Sequence, residues 1–401
     1  MVKRIRTATH KDFPLNEPLQ HSVYDESNRL LLRRGYVLTM PGFSDKILAR
    51  GCYIGEPEKE PEIKEAIPDP GRSASAGAAP GSKNTDSVSI AQEPVLTVFQ
   101  LCAELITRLR SLQRQMVGLL EPIAGIGATI GEQALQLLRL LDREADAVLA
   151  ACMLLNETKD NRPTQQVLGA AVAALLSGKL QLPPEQKLTL IKAALTRDLG
   201  LLEIDRAFAG VTPLPETATA KVRAHTLRSV TYLQQQGILD PDWLRIVKQH
   251  HERLDGSGYP AGLVGDQIDP LALLLGLSDS YAGMVLSNQR RPGMAPPVSM
   301  RQLVGVKNAS FSEQHIAILV RQLGLYPPGT LVKLKSGEAA VVRNSSPPGR
   351  SPLVFAFYDR DGMVRSTPLA RDTNQPDFSI VECLAPEQCL SAKLVIRRLW
   401  L

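Results

Sequence analysis

From Val98 onward the chain is written in a helical period. Val98, Leu101, Leu105, Leu109, Leu112, Met116 and Leu119 recur at steps of three and four, which sets them along one stripe of a single helix. Such a stripe is a core or dimer face far more often than a cofactor box. The same period returns at about 131–155, 164–180, 216–236, 241–251, 268–287 and 312–323, and in a helix opened by Pro183-Pro184 that runs through "EQKLTLIKAALTRDLGLL". Proline suits a first turn because its fixed φ is already helical and its missing N–H has no helical partner to lose. Aromatic residues make up 4% of the chain against 44% hydrophobic residues overall, so the core is built mostly from aliphatic side chains, as helix packing favours. The expected fold class is mainly α.

Two flanking regions change period. Residues 1–55 contain "VYDESNRLLLRRGYVLT", two strand-length apolar segments around the polar turn Glu26-Ser27-Asn28, which predicts a small β-rich module with a hairpin. Residues 56–95 are rich in Pro, Glu, Gly, Ser and Ala with few large apolar side chains. Such a segment cannot bury enough surface to offset its chain entropy and is expected to be a disordered linker. After "YPPG" at 326–329, Val332 and Leu334 alternate with Lys333 and Lys335, Gly337 marks a turn, and "PLVFAFYDRDGMV" repeats the strand-turn form. Residues 326–401 are thus a second small β-rich module, and 96–325 a helical domain with a lead-in helix.

Charge and composition exclude several classes. The 46 basic and 41 acidic residues leave a net charge of +5, without the dense basic face of a nucleic-acid binder. The five cysteines, Cys52, Cys102, Cys152, Cys383 and Cys389, are dispersed and lack a CxxC spacing, which argues against a disulfide framework or a zinc-thiolate site. No apolar run reaches the ~18–20 residues of a bilayer crossing, and "MVKRIRTATHKDF" has no apolar segment of the leader type. A cytoplasmic protein is expected.

Chemistry concentrates in one peptide, "HHERLDGSGYP", residues 250–260. Of six histidines, three (His225, His250 and His251) cluster along the chain, whereas His10, His21 and His315 stand alone. Adjacent helical residues project ~100° apart, so His250 and His251 can address two ligands, or a ligand and a supporting partner. In the following loop Gly256 and Gly258 permit backbone angles closed to other residues, Pro260 fixes φ, and Asp255 can bond the turn it begins. Tyr259 offers an aromatic face with a polar tip, suited to a base or a protein partner.

This peptide resembles the signature of the HD-GYP family, bacterial proteins whose helical HD-type core hydrolyses cyclic di-GMP with two or three metal ions, often iron. The similarity runs through residues 130–325: "KAALTRDLGLLEI" resembles the segment around the name-giving His-Asp pair, "RAHTLRSV" the segment supplying His225, and "LLLGLSDSYAGM" the helix carrying Asp279. The resemblance implies a helical HD-type bundle between the two β-rich modules. It implies Asp198, His225, His250, His251 and Asp279 as metal ligands, with Asp198 catalytic. It also implies a ligand-binding role for Asp255, Gly258, Tyr259, Pro260 and Arg291, contacts between the loop and diguanylate cyclases or other signalling proteins, and cyclic di-GMP as ligand. A homodimer through the first long helix fits the stripe described above.

The departures from that pattern bear on activity. Arg197 stands where the family has the histidine of the pair, Leu201 where it has a phosphate-contacting lysine, and Gln165, within one position, where it has an early metal-binding histidine. Near 287–294, Arg291 and Pro292 match the family while Gly293 and Met294 do not. A unit charge ~4 Å from a divalent ion is repelled by up to roughly 8 kcal/mol at an effective dielectric near 20, and guanidinium cannot escape by deprotonating. A full binuclear centre is therefore not expected, while one iron or manganese ion is. Arg197 is read as standing in the space of a lost ion with its fork toward a phosphate. The expected function is a degenerate HD-GYP signalling protein that binds cyclic di-GMP or a partner with little or no hydrolysis. An active metal-dependent phosphodiesterase and an adaptor with an empty pocket are the alternatives.

Overall fold

The computed structural model describes residues 2–14, 17, 19–25, 30–32, 48, 52–57, 96–118, 121–156, 161–208, 211, 214–288, 291–305, 310–346 and 350–401. It divides into two compact units, Met1–Ile90 and Ala91–Leu401.

In the first unit, β1 (Val2–Thr7), β2 (Ser22–Asp25), β3 (Leu30–Leu32) and β4 (Cys52–Pro57) form an antiparallel sheet in the order β1-β4-β2-β3. Ala8, Phe13, Leu19, Val23, Cys52 and Ile54 make its core, and Tyr24 stacks on its cross-strand partner Tyr53 with ring centroids 5.9 Å apart. The strands expected on either side of Glu26-Ser27-Asn28 do pair, Val23 with Leu32 and Tyr24 with Leu30. The turn itself, and residues 58–95 of the expected linker, lie outside the described residues.

The second unit opens with α1 (Val98–Gly118). Thr97 and Gln100 start it reciprocally: the Thr97 N–H donates to Gln100 Oε1 at 2.9 Å, and the Gln100 N–H to Thr97 Oγ1 at 3.3 Å. Its stripe is buried at Val98, Leu105, Leu109, Leu112 and Met116 within the same core as α2 (Ile126–Leu154). These side chains therefore pack inside one chain, so this part of the stripe is a core face.

Then follow α3 (Arg162–Lys179), α4 (Pro184–Thr196), α5 (Leu202–Ala207), α6 (Glu216–Arg223), α7 (His225–Gln235), α8 (Pro241–Gln249), α9 (Pro270–Val285), α10 (Pro296–Gly305) and α11 (Glu313–Leu323). Alanines at 170, 171, 173 and 174 are all buried in α3, a small-residue surface that lets neighbouring helices approach. α8 and α9 are each begun by an aspartate and a proline. Asp240 accepts from the N–H groups of Asp242 and Trp243, and Asp269 from those of Leu271 and Ala272, satisfying donors with no partner inside the helix. The fold class is mainly α with β-rich ends, as the sequence implies.

The last segment forms β5 (Leu331–Leu334), β6 (Ala339–Val342), β7 (Leu353–Tyr358), β8 (Val364–Asp372) and β9 (Ile380–Cys383), an antiparallel sheet in the order β8-β7-β6-β5-β9, followed by α12 (Lys393–Arg397). It belongs to the same compact unit as the helices. Gly329 lies flush on α2 at φ +87°, where an added Cβ would stand 2.9 Å from Ala150 Cα, and Arg343 reaches Glu144 at 3.0 Å. At the β5-β6 turn the buried Glu338 carboxylate accepts from Arg371 at 2.9 and 2.8 Å and from Arg365 at 2.8 Å. Hydrogen bonding from Arg371 outweighs burial and holds this carboxyl below the usual glutamate range. A depressed folded-state value stabilises the fold above the unfolded pKa of ~4.3, and the contribution is lost as pH falls through the folded value. Melting curves of Glu338→Gln and wild type are thus expected to differ most near neutral pH and to converge below about pH 4; a gap that widens on acidification would refute the role assigned to this pair.

Candidate functional site

Three imidazoles meet at one end of the helical unit. His225 is the first residue of α7 and His250 follows the last residue of α8. The His225 Nδ1 lies 2.6 Å from Val222 O and the His250 Nδ1 2.8 Å from Val247 O. With Nδ1–H donating to a carbonyl, each ring turns its Nε2 lone pair inward, and neither Nε2 has a hydrogen-bond partner among the described residues. His251 completes the group, its ring centroid 4.2 Å from His250 and 5.0 Å from His225. Ligand atoms of the three lie within 4.8 Å of one another. Two bonds of ~2.1 Å span at most ~4.2 Å, so small ring rotations close the group on one ion. Burial, reinforced by the neighbouring imidazoles, brings His250 down to about 4 and His251 well below its ordinary value. Both are neutral at pH 7, the form that donates to a metal.

Two glycines hold the histidine helices in place. A Cβ on Gly200 would stand 2.4 Å from His225 O, and one on Gly276 2.4 Å from His250 O. Both backbones press onto bare Cα atoms.

The carboxylates lie beside the imidazoles and are engaged with arginines. Arg197 is fully buried. Its Nε and Nη2 donate to Asp279 Oδ1 at 2.9 and 2.6 Å, and its Nη1 donates to Ala194 O at 2.5 Å. The expectation that Arg197 turns its fork to a phosphate is corrected by this geometry, because the fork is already satisfied inside the protein. Asp198 is buried too, with Oδ1 3.5 Å from His225 Nε2 and Oδ2 3.7 Å from Arg197 Nε and 3.9 Å from Arg162 Nη1. Burial pushes its carboxyl up, but the Arg197 and Arg162 guanidiniums hold it well below the carboxylate range. Leu201 is buried and brings no cation. Gln165 faces α9 at Gly283, and Gln166 accepts from Gln113 at 2.6 Å in a buried amide pair. This stretch contributes no imidazole.

The loop after His251 is a braced corner. The buried Glu252 carboxylate accepts from the N–H groups of Ala261 at 2.7 Å and Leu263 at 2.9 Å. Asp255 accepts from Ser257 N and Oγ at 3.0 and 2.6 Å and from Ser310 Oγ at 2.8 Å. Gly258 packs against the backbone of residues 251–253, and Pro260 follows Tyr259. The Tyr259 ring stacks on His251 at 4.7 Å, and the exposed Arg223 guanidinium lies over it at 5.4 Å. Arg291 sits elsewhere: its guanidinium donates to the carbonyls of Gly283, Met284 and Pro292. It closes the C-terminal turn of α9, where a cation is favoured, and these bonds engage it in the backbone. Sequence reasoning did not single out Arg162, Gly200, Arg223, Glu252 or Gly276. A glycine inside an apolar helical run, as in "LLLGLSDS", is the one available signal, since it commonly marks close backbone approach.

The HD domain family matches residues 150–311, the span that holds all three imidazoles and Asp198, Asp279 and the 255–260 loop. Residues 150–311 carry an HD domain, and the relatives of this domain support the HD-GYP family. The chain is similar to the cyclic di-GMP phosphodiesterase PA4108 of Pseudomonas aeruginosa, 30% identical over 195 residues that cover 47% of this chain and 46% of that protein. It is also similar to the 3'3'-cGAMP-specific phosphodiesterase 3 of Vibrio cholerae, 28% identical over 163 residues, 39% of this chain and 34% of that protein. The match thus spans less than half the length of these relatives. A solved structure, Bd1817, a HDG"Y"P protein from Bdellovibrio bacteriovorus, aligns with 80% of this chain and 98% of its own at 16% identity and a TM-score of 0.47. Among the described residues, no helix is long and apolar enough to cross a membrane.

Proposed function

We propose that this HD-GYP domain is a receptor for cyclic di-GMP that turns it over slowly or not at all, and that it signals through a partner protein at the 255–260 loop, a diguanylate cyclase being the kind of partner the family pattern suggests. The observation that carries the reading is the buried Arg197–Asp279 pair: a fixed cation holds a carboxylate that a two-ion hydrolase needs. His225, His250 and His251, with Asp198 beside them, are the donors for one divalent ion, iron or manganese. Bound there, such an ion supplies positive charge toward a phosphate. Asp255, Gly258, Tyr259 and Pro260 border the ligand, and Arg223 is the cation at the edge of Tyr259. Arg291 supports this border indirectly by closing α9.

The test pairs calorimetric titration with product analysis on the full chain, with cyclic di-GMP and 3'3'-cGAMP, with and without added iron or manganese. Saturable binding of cyclic di-GMP with turnover below about 0.01 s⁻¹, against the ~1–1,000 s⁻¹ usual for enzymes, is the expected result. Hydrolysis in the usual range defeats the reading in favour of an active phosphodiesterase. Absence of saturable binding defeats it in favour of an adaptor.

A further inference from the structure

We infer that the ion seat of this domain consists of His225, His250 and His251 alone, that it holds a single imidazole-preferring divalent ion, and that Asp279 has left the ligand set to become the counter-ion of Arg197. The inference rests on the one-ion reading above and goes further by naming which donor is lost and which class of ion remains.

Three observations carry it. Each of two buried Nε2 atoms is turned into the seat by a carbonyl at the far side of its ring, and neither has a hydrogen-bond partner among the described residues, Asp198 Oδ1 standing 3.5 Å from that of His225. Asp279 Oδ1 already accepts two charged N–H groups, so an ion bound there competes with a bidentate hydrogen-bonded cation that has no water to retreat to. The fold is also shaped for the arginine. Gly169 in α3 lies under the guanidinium, where an added Cβ would stand 3.0 Å from Nη2, and Ala194 O closes the other side. Arg197 thus lies between Asp279 and Asp198, with room left for it by Gly169.

Donor chemistry then sets the ion. Three imidazoles suit zinc, cobalt, nickel or ferrous iron, whereas manganese favours oxygen donors, so of the two ions named above the seat favours iron. The geometry is that of three protein ligands with an open position, the arrangement of mononuclear imidazole sites. Asp198 stands next to the seat, supplying charge.

The experiment uses the full chain, stripped with chelator and titrated with cobalt(II), followed by its visible absorption and by metal analysis after dialysis. One cobalt per chain is expected. Asp279→Asn keeps the Arg197 contact through the amide oxygen and is expected to retain that stoichiometry with affinity within about threefold, whereas His225→Gln or His251→Gln is expected to weaken binding about tenfold or more. Two ions per wild-type chain, or an Asp279→Asn loss equal to that of the histidine variants, overturns the inference. Should a histidine variant fail to fold, X-ray absorption at the cobalt edge of the wild type decides: three imidazoles and no neighbouring metal support it, while carboxylate oxygens in place of an imidazole or a second metal refute it. A wrong stoichiometry beside intact cyclic di-GMP binding sinks this inference alone; brisk hydrolysis by a one-ion protein sinks the functional reading alone.

Discussion

Arg197→Met is expected to cost about 3–5 kcal/mol of unfolding free energy, while Arg197→Met combined with Asp279→Leu regains most of that loss. The single change removes a fully buried cation and leaves the Asp279 carboxylate without its two donors, and Asp198 with only Arg162 and His225 nearby. A lone buried charge is much costlier than the same site made apolar on both sides. Arg197→Lys keeps a charge but loses the fork, and should fall between the wild type and Arg197→Met because an ammonium cannot reach Asp279 and Ala194 O in the same plane. Urea denaturation of the four members of the cycle measures the coupling directly. A single-variant cost below about 1 kcal/mol would mean that Arg197 is not the counter-ion of this core.

That pair also marks how far the sequence could be read. The replacement of a histidine by Arg197 is visible in "TRDLGLL", and so is the charge problem it creates for a metal pair. The direction of the side chain is not, because it is set by residues distant in the chain: Asp279 on α9, and Gly169 on α3, which leaves room for the guanidinium. The α1 stripe was legible as an apolar face. Periodicity identifies a buried face without identifying what covers it, and here α2 of the same chain does so. Strand period in the last module was likewise legible, but not its docking on α2 through Gly329. Arg291 matched a motif by position, yet its guanidinium closes a helix end. The histidines were the most legible part of the site, since their spacing fixes them on the ends of two helices. The glycines that let those ends approach were the least, because what matters at them is an absent side chain.

The loop gives the second large expected effect. Gly258→Ala is expected to cost about 3 kcal/mol or more, at the upper end of overpacking penalties, and to abolish the cyclic di-GMP binding proposed for the loop. Its Cβ would stand 2.5 Å from His251 O, Glu252 Cα and Arg253 N. All three are backbone atoms, so no rotamer change can make room. The loop must lift instead, and lifting it breaks the Tyr259 N–H bond to His251 O at 3.1 Å and the stack of Tyr259 on His251. Gly256→Ala is the informative comparison. There φ is +75° and the nearest obstacle is the Val264 Cγ2 methyl at 2.9 Å, so the cost is mainly the ~1–2 kcal/mol of a left-handed alanine plus what the methyl must yield. Thermal melting ranks the two, and calorimetry with cyclic di-GMP reads the consequence at the loop. If Gly256→Ala proves the costlier, backbone conformation governs this corner and the close packing of residue 258 on residues 251–253 does not. A Gly258→Ala protein that melts like the wild type would show that the corner can lift at no cost, and the histidine it braces would then be held by α8 alone.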